Sequence, residues 1–146
     1  MRNRSRRSMI SLRIVFMVDP TIRILIVNSK PGIRKMTSKM FNLLGYKKVS
    51  EATTPEAAWD AMQGANPPIG LLVIDYAEQD QDDALRLVRQ VREDKTVPSM
   101  PVIVTMEKSD PAAVGRCLGA GVSGFVSLPL TSKALKDALE KLPGDG

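Results

Sequence analysis

Residues 71–78 read Leu-Leu-Val-Ile-Asp-Tyr-Ala-Glu, and the fold turns on this stretch. Four aliphatic residues in a row fit a short strand buried on both faces, not one that alternates between core and solvent. Asn66-Pro67-Pro68 breaks the helical pattern before it, and the run ends on the carboxylate of Asp75. Strands of this kind belong to parallel sheets with helices packed on both sides.

The same rhythm repeats on either side of this strand. Upstream, Ile22 to Val27 is an apolar run carrying only Arg23. Ile33, Met36, Met40, Leu43 and Leu44 then recur at helical spacing, with Pro31 near the start and Gly45 as the stop. Lys47 to Glu51 is a more polar strand, as expected of an edge. Thr54-Pro55-Glu56 opens a second helix with a capping hydroxyl and a first-turn proline, and Ala58, Ala61, Met62 and Ala65 share its inner face.

Downstream of Asp75, a helix carries Ala84, Leu87, Val88 and Val91 inward, and Pro101 opens the strand Val102 to Thr105. Asp110-Pro111 starts a fourth helix with Val114, Cys117 and Leu118 inward. Phe125 to Leu128 is a fifth strand, and Thr131 caps a last helix bearing Leu135, Ala138, Leu139 and Leu142. Five strands alternate with five helices at spacings too long for hairpins, which predicts an α/β parallel sheet covered on both faces.

The chain has 146 residues, enough for one domain that buries a core without disulfide or metal staples. Cys117 is the only cysteine, so no intrachain disulfide exists, and there is no His to serve as general base or metal ligand. Both features favour a reducing, cytoplasmic setting. The net charge of +5 sits in residues 1–18, which hold five arginines and no acid; from Asp19 onward 16 basic residues balance 16 acidic ones. The body therefore reads as neutral, which gives no support for a DNA-binding face.

Residues 1–18 read as a disordered basic extension, or as an upstream start before Met17. A weak interfacial anchor is the alternative, since the apolar part is too short to span a bilayer. The domain is expected over 19–142, with 143–146 as a tail.

In an open parallel sheet, ligands gather beyond the carboxyl ends of the strands. Those ends carry Asn28 and Ser29, Asp75, Thr105, and Leu128. Asp75 is the only carboxylate directly ending a core strand, which makes it a candidate nucleophile or metal ligand; a capping or loop role is the bland alternative. Gly119-Ala120-Gly121-Val122-Ser123-Gly124 satisfies G-x-G-x-x-G, but it follows a helix and leads into a strand. That is the reverse of a dinucleotide fingerprint, so a glycine-rich helix stop is the better reading. Cys117 reads as core filler, and Trp59 as a partly packed neighbour of the Ala58/Ala61 stripe.

The segments ILIVNS (24–29), LLVIDYAE (71–78), PVIVTM (101–106), GAGVSGF (119–125) and SLPL (127–130) together resemble the response-regulator receiver domain, closest to the stand-alone chemotaxis type. The resemblance implies a flavodoxin-like (βα)5 doubly wound sheet of order 2-1-3-4-5 and a place in two-component, phosphorelay signalling. It makes Asp75 the candidate phosphoacceptor and Thr105 and Phe125 the candidate switch residues.

It also exposes departures. Asn28 and Ser29 stand where the family has two Mg²⁺-holding acids, and Leu128 stands where it has a lysine. Met106 replaces a small residue, and the loop Glu78 to Asp83 lacks the usual Pro and Gly. An amide and a hydroxyl bring oxygens without charge, so Mg²⁺ binding is expected to be weak at best, centred on Asp75. Phosphoryl transfer depends on positioning and charge neutralisation, and much of that is missing.

The reading that follows is an atypical receiver, not an enzyme, that works by protein–protein contact. Its partner is a histidine kinase or another signalling protein, met through the fourth helix, fifth strand and fifth helix, with no nucleic acid and no membrane span. A weakened but genuine phosphoacceptor is the alternative. A small flavodoxin-like enzyme or nucleotide binder lacks the phosphate loop or catalytic pair it would need.

Overall fold

The computed structural model describes residues 19–77, 81–94, 100–107 and 110–142. The readings made of 1–18, of 143–146 and of Glu78, Gln79 and Asp80 lie outside these residues. In chain order the elements are β1 (Arg23–Val27), α1 (Pro31–Leu43), β2 (Lys48–Ala52), α2 (Pro55–Gln63), β3 (Ile69–Asp75), α3 (Gln81–Glu93), β4 (Val102–Met106), α4 (Pro111–Ala120), β5 (Gly124–Ser127) and α5 (Ser132–Glu140). All strand pairs are parallel, and the sheet order is β2-β1-β3-β4-β5, as expected.

Local chemistry sets the helix starts. The side chains of Thr54, Asp110 and Thr131 each accept the backbone N–H three residues on, at 3.0, 2.8 and 3.0 Å. Each satisfies a donor the first turn would leave orphaned, and Pro31, Pro55 and Pro111 lie in first turns, where a missing N–H costs nothing. α4 stops at Gly121, whose φ of 107° is left-handed. There the Arg92 guanidinium clamps the turn. It donates to the carbonyl of Gly121 at 2.9 Å, to the carbonyl of Met100 and to the Ser123 hydroxyl at 3.1 Å. Burial holds its pKa below the ordinary arginine value.

The core divides on either side of the sheet. Leu25, Val27, Leu72, Ile74, Val102 and Val104 face α2, α3 and α4, while Ile24, Ile26, Leu71, Val73 and Ile103 face α1 and α5. The period-two alternation of strands buried on both faces produces this split.

Three helical faces differ from the expected stripes. In α1, Thr37 and Phe41 are buried, while Met36 is 40% and Leu43 73% exposed. The Thr37 hydroxyl meets its hydrogen-bonding need by donating to the Ile33 carbonyl at 2.7 Å. In α2, Ala58 is buried and Ala61 faces solvent. In α4, Ala113, Cys117 and Ala120 face the sheet, and Leu118 is 56% exposed. A helix turns 100° per residue, so centring the contact on Cys117 carries Leu118 off it, and the small Ala113 and Ala120 allow close approach. The inner faces of α3 and α5 are those expected, with Leu142 buried just past α5.

Candidate functional site

β3 and β4 run side by side with Asp75 opposite Thr105. That register brings the Thr105 hydroxyl to donate to Asp75 Oδ1 at 2.9 Å, while the Tyr76 N–H donates to the Thr105 carbonyl at 2.8 Å. Thr105 is buried and Asp75 partly so. The carboxylate thus sits at the mouth of a cleft of about 400 Å³ at the carboxyl edge of the sheet.

From the loop after β1 Lys30 lines the cleft, while Asn28 and Ser29 do not. Asn28 is buried, and its Oδ1 accepts the Lys30 backbone N–H at 2.8 Å, a local turn that leads into α1. Its carbonyl accepts Arg34 Nη1 at 2.9 Å, and Arg34 Nε reaches Glu51 at 2.9 Å. Ser29 is exposed. Leu128, half-buried, and Met106, 2% exposed, make apolar parts of the cleft wall. Phe125 lies on β5 opposite Val104 and packs on the α2–α4 face, which it shares with Val104 and Met106. Alternation along β4 turns Thr105 to the other face, so the two candidate switch residues sit back to back across the sheet edge.

Among the further residues lining the cleft are four polar or charged ones not expected there from the sequence: Lys30, Tyr76, Glu107 and Arg116. Arg116, from α4, donates from Nε to the Tyr76 hydroxyl at 2.9 Å, and this bond raises its already high pKa. The Lys30–Glu107 pair, at 3.8 Å between exposed groups, adds little energy. Lys30, Tyr76 and Glu107 directly follow strand-end positions and were open to a reading that looked one residue further along each loop. Arg116 had no such signal, because it meets Tyr76 only through the packing of α4.

The donor set is poor for a divalent cation. Asp75 is one carboxylate, the Asn28 oxygen already accepts a backbone N–H, and Ser29 and Leu128 add no charge. Among the described residues no three His, Cys, Asp or Glu side chains converge as metal ligands. Mg²⁺ favours near-octahedral oxygen ligation through one or two carboxylates with waters; the other carboxylates lining the cleft are Glu107, beside Lys30, and Asp110, whose Oδ1 caps α4. No helix of the described residues is long and apolar enough to cross a membrane.

Comparison with known proteins agrees with this architecture. Residues 24–140 match the response regulator receiver domain family. A chemotaxis protein CheY homolog of Campylobacter jejuni is 30% identical over 125 residues, covering 86% of this chain and 95% of that protein. Chemotaxis protein CheY1 of Helicobacter pylori is 29% identical over 123 residues, covering 84% and 98%. Among solved structures, Vibrio cholerae chemotaxis protein CheY4 superposes with a TM-score of 0.75 at 20% identity, covering 84% of this chain and 99% of that one. Its five parallel strands in the order 2-1-3-4-5, the position of Asp75 at the end of β3 and the match over most of its length make this chain a member of the response-regulator receiver domain family.

Proposed function

We propose that this receiver domain signals in the cytoplasm by docking to a protein partner, a histidine kinase or another signalling protein, without Mg²⁺-dependent phosphorylation of Asp75. One observation carries the reading: at the end of β1, where a metal would need carboxylates, Asn28 turns its oxygen onto the Lys30 N–H and Ser29 faces solvent. With Leu128 on the opposite wall, no lysine side chain comes from that position to neutralise a phosphoryl group. Without a metal and a lysine from that position the electrostatic terms that favour phosphoryl transfer are weakened, since the cations lining the cleft are otherwise engaged, Lys30 beside Glu107 and Arg116 on the Tyr76 hydroxyl.

The docking face in this reading is α4-β5-α5. Leu118 is 56% exposed there, and its neighbours on the outer side of α4 include Ala112, Gly115 and Gly119, which offer a smooth surface with little side chain to order on binding. The second reading, a weakened phosphoacceptor, draws on the Thr105–Asp75 hydrogen bond, with Thr105 and Phe125 as its switch residues.

Acetyl phosphate with Mg²⁺, followed by intact mass, separates the two. The expected result is no phosphoryl adduct on the native chain. A stable adduct that disappears in Asp75→Ala would overturn the phosphorylation-independent reading.

A further inference from the structure

The neutral body conceals a strong segregation of charge. Between Pro20 and Ser50 there are seven Lys and Arg and no Asp or Glu, whereas 15 of the 16 acids lie from Glu51 onward. Folding places that basic stretch on one side of the molecule, along β1, the outer face of α1 and the start of β2. Arg34 is neutralised by Glu51 and Lys30 stands near Glu107, but Lys35, Lys39 and Lys47 are exposed and make no ion pair among the described residues.

Two large apolar side chains interrupt these lysines. Met36 is 40% and Leu43 73% exposed, and together with Lys35 and Lys39 they form a stripe at helical spacing along the outside of α1. Lys47 and Lys48 continue it past the helix end, where with Arg23, Ser50 and Pro67 they line a groove of about 350 Å³.

From this arrangement we propose that the α1–β2 face is a peripheral docking surface for an anionic lipid bilayer. Exposed lysines with apolar side chains set between them are the composition of an interfacial surface: the ammonium groups meet lipid phosphates, while Met36 and Leu43 enter the headgroup region. Nucleic acid would use the charge equally well but gains nothing from Leu43, and the aromatic side chains of this stretch, Phe41 and Tyr46, are buried and unable to stack on a base. Of the acids, Glu51 belongs to this face and is taken up by Arg34, so the exposed Lys35, Lys39 and Lys47, with no ion pair among the described residues, leave it with excess positive charge. The inference is independent of whether Asp75 is phosphorylated, because it uses none of the cleft residues.

Vesicle co-sedimentation of the full chain tests it, with phosphatidylglycerol–phosphatidylcholine vesicles against phosphatidylcholine alone. Binding is expected only to the anionic vesicles, and it weakens as salt rises from 0.1 to 0.5 M. Changing Lys39, Lys47 and Lys48 to Gln lowers partitioning on the order of a hundredfold, at roughly fivefold per lysine. Met36→Gln with Leu43→Gln lowers it severalfold while leaving thermal stability unchanged. Three results would each overturn the proposal: no binding to anionic vesicles, binding lost in a variant with Arg2, Arg4, Arg6 and Arg7 changed to Gln but untouched by the lysine changes, or binding to duplex DNA that matches vesicle binding and ignores Met36 and Leu43.

Discussion

The contact between Thr105 and Asp75 lends itself to a quantitative test. Thr105→Val keeps the β-branched shape of a 4% exposed residue and removes the hydroxyl that donates to Asp75 Oδ1 at 2.9 Å. The strand pairing survives, since the Tyr76 N–H still bonds the Thr105 carbonyl at 2.8 Å. A hydrogen bond to a charged group contributes about 1.5–3 kcal/mol net, and water at the partly exposed carboxylate replaces some of that, leaving a coupling of about 1 kcal/mol. A double-mutant cycle of Thr105→Val and Asp75→Asn isolates this coupling from the change in burial that each substitution brings alone. Urea unfolding at pH 7 reads it, with unchanged m-values as the check that only stability has moved. The Thr105→Val protein is expected to melt roughly 3–5 °C lower than the native chain. A coupling within about 0.3 kcal/mol of zero, inside the additivity error of independent sites, would refute the idea that the two side chains are held as a pair.

Three other consequences are open to measurement. Replacing Asn28→Asp, Ser29→Asp and Leu128→Lys together is expected to create Mg²⁺ affinity visible by titration calorimetry, with about 1–1.5 kcal/mol of stabilisation at a tenfold excess over the dissociation constant; equal heats for both proteins would mean the metal pocket lies elsewhere. Gly121→Ala is expected to destabilise by about 1–3 kcal/mol in denaturant titrations, because φ is 107° and the added Cβ would stand 2.8 Å from Arg92 Cγ; a neutral result would show that the Arg92 clamp yields freely. Cys117 is fully buried and desolvation pushes its thiol pKa up, so it is expected to resist thiolate-directed reagents at pH 8 until the protein unfolds. The same raised pKa contributes stability that is complete below the unfolded thiol's pKa and is lost as pH rises through the folded value, so rapid native labelling would contradict the packing of α4.

Much of the site was legible because strand ends in a parallel sheet declare themselves. Asn28, Asp75, Thr105 and Leu128 each end or directly follow an apolar run, and the parallel sheet brings these strand ends to one edge, where Asp75 and Leu128 line the cleft. Lys30, Tyr76 and Glu107 belong to the same edge, one or two residues further on. Arg116 could not be read in this way, since nothing local marks the fifth residue after Asp110-Pro111 as reaching a tyrosine 40 positions earlier.

The sequence by itself determined the alternation of strand and helix, the capped helix starts at Thr54, Asp110 and Thr131, and the edge character of β2. These depend on hydrogen bonds and periodicities spanning at most four residues, so they are written in short stretches of chain. Tertiary structure decided which part of each apolar stripe met the sheet. A stripe on α1 or α4 is wider than the footprint the sheet offers, and packing chose Thr37, Phe41, Ala113 and Cys117 for the inside, leaving Met36, Leu43 and Leu118 outside. It also decided which cations of the basic stretch 20–50 find partners, because Arg34 meets Glu51 and Lys30 meets Glu107 only once distant segments fold together.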